Sequence, residues 1–168
     1  LKINKRMQEE QKYKLVRVNL NDEWDEFVKK SHGGTIFMSS AYLKSLNINI
    51  HPYYCYKKEE LMAAVLCVVS SDGAHVVGHE YVIYDGLIYC DLNHLNKSQM
   101  YSEEYKIQEY VAVEMLNLYQ TIRMKLSPII IDIRPFLWVN YNKDHDKYNA
   151  SIRYTSMLEI SDFKDSKI

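Results

Sequence analysis

Hydrophobic and polar residues alternate with different periods along the first part of the chain. Residues 14–20, "KLVRVNL", alternate apolar with polar side chains, which is the period-two pattern of a half-exposed strand. Asn21 follows as a candidate helix cap, with two acidic residues in the first turn and an apolar stripe behind them. The glycines at 33–34 predict the end of this helix, and a second short helix is expected to begin after Ser39 or Ser40.

The middle of the chain predicts three or four consecutive strands. Residues 53–58 form the first, and 61–69 are nine apolar residues in a row, which indicates a central strand buried on both faces. The sequence "SSDG" at 70–73 is a hairpin turn signal. Residues 74–78 and 81–90 supply one or two further strands.

A long amphipathic helix is predicted over 103–126, with Ser102 as its cap and a Ser-Pro pair at 127–128 as its end. The apolar run "IIIDI" at 129–133 then predicts a short buried strand, and 151–160 predicts a last strand. The apolar face of the helix recurs at three- and four-residue steps. It consists of Ile107, Val111, Met115, Leu118, Ile122 and Leu126.

The order of these elements predicts the fold class. Antiparallel strands in succession, followed by a helix that crosses back to a parallel strand, are typical of a mixed α/β fold with a mostly antiparallel sheet flanked by helices. A length of 168 residues fits one domain. We expect this domain to span 14–160, with an N-terminal extension over 1–13. Residues 161–168 are either a tail or the start of a second half.

Composition and charge narrow the classes of function. The net charge of −1, from 21 basic and 22 acidic side chains, gives no electrostatic preference for nucleic acid or a membrane surface. No apolar run is long enough to span a membrane. Cys55, Cys67 and Cys90 lack the spacing of a zinc site or a disulfide framework, so we expect free thiols and a cytoplasmic protein. The histidines form no helical pair, and no metal site is expected.

Three segments resemble the FemAB-type acyltransferases of the GNAT superfamily: "GGTIFMSSAYLKSL" at 33–46, "YDGLIY" at 84–89, and "DIRPFLWVNY" with the downstream "IRYTSMLEI" within 132–160. The resemblance implies a GNAT-like fold. FemAB-type enzymes normally combine two GNAT-like halves, and this chain is similar to the amino-terminal half.

The chain departs from the family pattern in the segment 38–46, where the family's Lys helps to hold a substrate phosphate. Aminoacyl ligases of this family tend to carry Trp and, four residues later, Lys in the segment after "Q-S". This chain has Met38 where Gln is usual, and Tyr42 and Leu46 at the other two positions. These differences argue against a nucleotide-linked or lipid-linked peptidoglycan acceptor.

The segment 132–141 carries the candidate substrate-binding residues. Asp132 and Arg134 share a parity at the end of the predicted strand, so both side chains would point to one face. Either the two form a structural ion pair, or Asp132 holds Arg134 so that its guanidinium grips an anionic group of the substrate. After Pro135 ends the strand, aromatic side chains form a wall that is either core or a binding surface. The predicted substrate-binding set is Asp132, Arg134, Trp138, Tyr141, Arg153 and Tyr154.

The resemblance implies an acyltransferase that transfers an acyl or aminoacyl group to a sugar or cell-envelope precursor, with this chain as the acceptor-binding half. The donor would be acyl-CoA or aminoacyl-tRNA rather than a bound cofactor. Residues 91–104 contain no glycine, so a CoA pyrophosphate site is not expected there. Asp85 is either a turn residue or an acid near the reacting group, and no catalytic base is assigned.

The expected partners follow from the same resemblance. They are a small-molecule or sugar-linked acceptor and either a second GNAT-like half or a second copy in a homodimer, with no nucleic acid other than a tRNA donor. Two alternatives stay open. One is a non-catalytic binding or assembly module in which the aromatic segment is an interface. The other is a stand-alone acetyltransferase, which would bind acetyl-CoA.

Overall fold

The computed structural model describes residues 13–154 and 156 of the chain. The architecture is mixed α/β, with an antiparallel four-stranded sheet flanked by helices, and confirms the predicted fold class. In chain order the elements are β1 (Tyr13–Arg17), α1 (Asp22–Lys30), a 3₁₀ turn (Ile36–Met38), α2 (Ser40–Ser45), β2 (Ile50–Lys57), β3 (Glu60–Val68), β4 (His75–Val76), β5 (Gly86–Tyr89), α3 (Lys97–Leu118), β6 (Thr121–Ile122) and α4 (Arg134–Trp138).

The main sheet has the strand order β1-β2-β3-β5, and all neighbours are antiparallel. Strand β3 pairs on both sides and is buried from Met62 onwards, which confirms the central strand predicted from its continuous apolar run. The predicted turn at 70–73 is also present, with Gly73 at a φ of 72° and its N–H donating to Ser70 O at 2.9 Å. A second, two-stranded sheet pairs β4 with β6 in parallel.

Alternate residues of β3 enter two separate cores because successive side chains of a strand point to opposite faces. Val65 and Cys67 pack in the core on the α3 side. Leu66 and Val68 pack on the other face, in the core that includes Trp24. The sheet is therefore covered by helices on both faces.

The first two helices begin where the sequence predicts. The Asn21 side chain accepts from Trp24 N at 3.0 Å, and Ser39 caps α2 by accepting from Tyr42 N at 3.4 Å. The indole of Trp24 donates to Met38 O at 2.7 Å and joins α1 to the 3₁₀ turn. Gly34 lies so close to the end of α1 that an added Cβ would be 1.8 Å from Val28 O, so only glycine fits there.

The predicted bounds of the long helix, 103–126, are wrong. Helix α3 begins six residues earlier, at Lys97, because Asn96 and Gln99 form a reciprocal capping box. It ends at Leu118, because Tyr119 turns into an extended conformation and its hydroxyl lies 2.8 Å from His51 Nδ1. The predicted helical residue Ile122 belongs instead to β6.

The predicted strand at 129–133 is wrong as well. This segment has no strand pairing, and Ile130 N donates to Ser127 O in a turn. The edge of β5 that faces away from β3 is partly paired with other segments. Tyr89 forms a β-bridge with His32, and Asp85 N, just before β5, donates to Lys125 O at 2.9 Å. Pro135 occupies the first turn of α4 rather than ending a strand, a position where its missing N–H costs nothing.

Other predictions meet the structure only in part. Residues 151–154 of the predicted strand 151–160 form no regular secondary structure. The rest of that strand, except 156, lies outside the described residues, as do 1–12 and 161–168.

The three cysteines are free as predicted, and burial raises the pKa of Cys55 and of Cys67 to about 12. None of the helices in the described part combines the length and apolar character needed to cross a bilayer.

Candidate functional site

A pocket of about 260 Å³ lies between helix α3, the end of β5 and the segment that leads into α4. The helix contributes four side chains at i, i+3, i+4 and i+7, the spacing that places residues on one helix face. One wall of the pocket is therefore a single aromatic and polar stripe. The stripe consists of Tyr101, Glu104, Tyr105 and Gln108.

Two polar side chains at this pocket are buried without a partner. Tyr89 is 2% exposed and Gln108 is 3% exposed. Neither Tyr89 Oη nor Gln108 Oε1 has a hydrogen-bond partner among the described residues. A buried polar atom without a partner is uncommon and costs free energy, so these two atoms indicate a place where a ligand binds.

Burial, more than any other influence, raises the pKa of the Tyr89 hydroxyl, and the Glu104 carboxylate raises it further. Gln108 lies close enough to offset part of that rise, but the two side chains do not meet the geometry of a hydrogen bond. Tyr89 is therefore a neutral phenol near pH 7. It can both donate and accept a hydrogen bond.

The opposite wall carries the predicted pair Asp132 and Arg134. Arg134 Nε donates to Asp132 Oδ1 at 2.8 Å, and Arg134 Nη2 donates to Asp132 Oδ2 at 2.6 Å. These hydrogen bonds are the main reason that the pKa of Asp132 is lowered. Both side chains are partly exposed at the mouth of the pocket. The pair fixes the guanidinium plane there, and Nη1 is not used in bonding Asp132.

The structure brings Trp138 to the same mouth. The Arg134 guanidinium carbon lies 5.5 Å from the centre of the Trp138 ring, a cation–π contact. The same ring meets Tyr105 edge-on, with centroids 6.2 Å apart. Trp138 is nevertheless 56% exposed, so much of this aromatic surface is open to solvent.

The other predicted residues lie further from the pocket. Tyr141 follows in the next turn, where its N–H donates to Trp138 O at 3.3 Å, and its side chain is exposed. Arg153 and Tyr154 are exposed and do not line the pocket. Arg134 and Arg153 are not on paired strands within the described residues, because neither 129–133 nor 151–154 forms a strand there.

Glu104 is the pocket carboxylate that is not held by another side chain. It forms no hydrogen bond or ion pair within the described part of the chain. Burial raises its pKa, and the nearby His32 offsets part of the rise. Its neighbour Glu103 points elsewhere, accepts from Tyr13 Oη at 2.7 Å and pairs with Lys57 Nζ at 2.5 Å. Of these two consecutive glutamates, Glu103 is therefore held by two side chains, whereas Glu104 is held by none.

Sequence reasoning missed the residues from α3 and β5 that line this pocket. A signal was present at Gln108, which is an amide beside the apolar stripe of the helix. It was not recognised because the stripe through Ile107 and Val111 explained the helix without it. Tyr89 gave no signal, since an aromatic residue in a strand is ordinary.

A second, larger and more open groove of about 470 Å³ lies near the start of α3. Its buried carboxylate, Glu103, already accepts hydrogen bonds from Tyr13 and Lys57. None of the buried unpartnered polar atoms of the described residues lies in it. The smaller pocket is therefore the better candidate.

Asp85 lies outside both pockets. It is 2% exposed, and its Oδ1 accepts from Lys125 N at 2.5 Å. It serves as a buried turn residue that joins the start of β5 to the segment after β6.

Among the described residues, no group of three or more His, Cys, Asp or Glu side chains is arranged to hold a metal ion.

Comparisons with known proteins do not identify the chain. No protein-family model matches it, and no curated protein or solved structure is significantly similar to it. The resemblance to FemAB-type acyltransferases accordingly stays a prediction.

Proposed function

We propose that this pocket binds the acceptor of an acyl transfer, and that the chain is the acceptor-binding part of a cytoplasmic acyltransferase. The observation that carries the proposal is the pair of buried, unpartnered atoms, Tyr89 Oη and Gln108 Oε1, at a pocket with an aromatic mouth. The three free thiols support a reducing compartment.

The shape and chemistry of the pocket favour a small polar ring. Its volume of about 260 Å³ is just below the roughly 300–1,000 Å³ of pockets for drug-sized molecules, so it suits one ring rather than a long chain. The rings of Tyr105 and Trp138 offer surface for the apolar face of such a ring. Tyr89, Gln108 and Glu104 offer hydrogen bonds to its polar substituents. A sugar-type acceptor combines both properties.

Acyl transfer needs a nucleophile, an activated acyl donor and a group that receives a proton. The acceptor's nitrogen or oxygen attacks the acyl carbon, the bond from that carbon to the leaving group breaks, and the acceptor's proton passes to a base. Glu104 is suited to receive it, because it is held by no other side chain and burial raises its pKa. The donor, acyl-CoA or aminoacyl-tRNA, would be held by a second GNAT-like half or a second copy of the chain.

A non-catalytic binding module is the second candidate. It is favoured by exposed apolar side chains at the pocket and beyond it: Ile131, which lines the pocket, is 75% exposed, and Tyr141, in the turn after Trp138, is 73% exposed. Exposed apolar surface beside a pocket is common where another protein docks. Both candidates predict ligand binding, and only the acyltransferase predicts turnover of an acyl donor.

Binding of monosaccharides by the purified chain tests the proposal. We expect calorimetry to detect binding, and Tyr89→Phe and Gln108→Leu each to weaken it about tenfold, because each removes one hydrogen bond to the ligand. Neither change should lower the melting temperature, since Tyr89 Oη and Gln108 Oε1 have no hydrogen-bond partner in the described part of the chain. Tyr154→Phe, at a side chain that is 96% exposed, is the matched control.

Two results would contradict the proposal. One is binding that Tyr89→Phe and Gln108→Leu leave unchanged. The other is a large fall in melting temperature for both variants, which would mean that the two side chains only stabilise the fold.

A further inference from the structure

We infer that Thr121 is an acylation site, at which the threonine hydroxyl takes up an acyl group from a small activated donor such as an aryl ester, a thioester or an acyl phosphate. The site lies where β4 pairs with β6, and none of its residues lines either pocket. The inference is therefore independent of the proposed function. It rests on a hydroxyl, an imidazole and a carboxylate that follow one another in space.

The Thr121 hydroxyl lies against a histidine that can receive its proton. The parallel pairing of the two strands sets His75 opposite Thr121, and His75 Nδ1 lies 2.9 Å from Thr121 Oγ1. This distance falls within the roughly 2.6–3.2 Å that separate a nucleophile from its general base. Gln120 N donates to Ala74 O at 2.9 Å and joins the two strands just before the pair. The backbone therefore holds the hydroxyl and the imidazole together.

A carboxylate on the far side of the ring decides which ring nitrogen carries the proton. Asp72 Oδ2 lies 4.0 Å from His75 Nε2, which is too far for a hydrogen bond but close enough for electrostatic attraction. The carboxylate favours the tautomer with its proton at Nε2, which leaves the lone pair of Nδ1 to accept from Thr121 Oγ1. It also favours the imidazolium ion that forms when the ring takes up that proton.

The turn before β4 holds this carboxylate in place. Asp72 Oδ1 accepts from Ser70 Oγ at 2.5 Å and from Ala74 N at 3.0 Å. Ser70 Oγ also accepts from His75 N at 3.1 Å, so one hydroxyl ties the carboxylate to the backbone of the base. The hydrogen bond from Ser70 is the main reason that the pKa of Asp72 is lowered, and the carboxylate is therefore ionised near pH 7.

An acyl donor can reach this site directly from solvent. Thr121 is exposed, and the His75 side chain is 33% exposed. An open surface offers little binding energy that could be used to activate an unreactive ester. We therefore expect small acyl groups with a good leaving group to react, and unactivated esters to remain intact.

The reaction forms one bond and breaks one. Thr121 Oγ1 attacks the carbonyl carbon of the donor while its proton passes to His75 Nδ1. The bond from the carbonyl carbon to the leaving group then breaks, and the leaving group departs with the bonding electron pair. The product is an ester of Thr121, and the imidazolium ion releases its proton to the leaving group or to water.

Treatment of the full chain with p-nitrophenyl acetate tests the inference, because the acetyl group is small and the leaving group is good. We expect peptide mapping by mass spectrometry to find acetylation of Thr121 at least about tenfold faster than that of Ser151. Ser151 is an exposed hydroxyl that forms no hydrogen bond with a histidine in the described part of the chain. Its primary hydroxyl is less hindered than that of threonine, so the comparison favours Ser151. Alkaline hydroxylamine should remove the acetyl group from Thr121, because it cleaves esters.

Variants of the base and the carboxylate separate activation from simple exposure. His75→Gln should reduce the rate at Thr121 to about that of the reference serine, because an amide oxygen can accept the hydrogen bond but takes up a proton far less readily than an imidazole. Asp72→Asn should lower the rate about threefold, since it keeps an oxygen for the turn but removes the charge. His145→Gln, at a histidine that contacts an aspartate in an exposed loop, is the matched control and should leave the rate unchanged.

Three results would overturn the inference. The first is acetylation of Thr121 that is no faster than that of Ser151, and the second is a fast rate that persists in His75→Gln. The third is an acetyl group on His75 instead of Thr121, because the imidazole would then be the nucleophile. An unchanged circular dichroism spectrum assigns the loss in His75→Gln to the missing base rather than to the fold. Should that variant fail to fold, the rate in Asp72→Asn decides instead.

Discussion

Asp85 carries a carboxylate inside the fold with only one of its oxygens bound. Its Oδ1 accepts from Lys125 N, whereas Oδ2 is buried without a partner among the described residues. Burial raises the pKa of this carboxyl group to about 6, although the backbone and the charge of Lys125 oppose the rise. A carboxylate that resists ionisation in the folded state makes stability depend on pH.

The direction of that dependence follows from the two pKa values of Asp85. The ordinary value of 3.8 applies to the unfolded chain, and about 6 applies to the fold. Stability from this group is complete below pH 3.8 and is lost as the pH rises through 6, since the folded state must then bury a charge. The loss is on the order of 3 kcal/mol.

Asp85→Asn should remove this loss, because the amide keeps an oxygen for Lys125 N and carries no charge. We expect the variant to exceed the wild type in free energy of unfolding at pH 7 by up to about 3 kcal/mol, and the difference to shrink towards pH 4. Urea unfolding at several pH values measures it. Asp144→Asn, at an exposed loop position, should follow the wild-type profile. Parallel profiles for Asp85→Asn and wild type would contradict the assignment.

Some of the side-chain contacts at the candidate site could be predicted from the sequence. The contact between Asp132 and Arg134 follows from opposite charges two residues apart and does not require the strand that the sequence suggested. Tyr89 and Gln108 were not predictable, because nothing local shows that a buried polar atom lacks a partner. That property depends on which side chains meet across β5 and α3.

At the scale of elements, local signals located most of the fold. The capping residues and the apolar faces predicted the positions of α1 and α2, and the continuous apolar run predicted β3. The long helix was recognised, but its apolar period continues past its real end through Ile122. Hydrogen bonds with His75–Val76 give Thr121–Ile122 a strand partner, and a periodicity along the chain does not contain that information.

The start of α3 offers a test that separates the observed helix from the predicted one. Asn96 caps the observed helix, whereas Ser102 was the predicted cap and lies within the helix with an exposed side chain. Asn96→Ala should reduce the free energy of unfolding by about 1 kcal/mol, because it removes the acceptor for Gln99 N. Ser102→Ala should be neutral or stabilise by up to about 0.5 kcal/mol, since alanine favours a helix interior.

Chemical denaturation of both variants decides between the two boundaries. A greater loss of stability in Ser102→Ala than in Asn96→Ala would place the start of the helix at the predicted position and contradict the observed one.

At the scale of the whole molecule, Glu103 forms a polar contact between helix α3 and the main sheet. Glu103 on α3 accepts from Tyr13 Oη on the edge strand β1 and from Lys57 Nζ at the end of β2. Burial alone would raise the pKa of Glu103, but the hydrogen bonds from Lys57 and Tyr13 outweigh it and lower the pKa. Two strands and the longest helix of the described chain therefore depend on one ionised carboxylate.

Glu103→Ala should destabilise the whole domain because it takes the carboxylate partner from the largely buried Lys57 ammonium. Removing one partner of a fully buried pair costs about 3–5 kcal/mol, and we expect about 2–3 kcal/mol here because the Lys57 side chain is 22% exposed and can reach water. Glu104→Ala is the adjacent control and should change the free energy of unfolding by less than about 0.5 kcal/mol, since Glu104 holds no other side chain.

Thermal unfolding of the two variants, followed by circular dichroism, measures the contrast between neighbouring glutamates. The unfolding of Glu103→Ala should remain a single transition at lower temperature, because Glu103 connects elements of one cooperative unit rather than a separate segment. Equal melting temperatures for the two variants would mean that the contact of Glu103 with β1 and β2 contributes nothing to stability. The helix would then be held on the sheet mainly by its apolar face, through Ile107, Val111 and Met115.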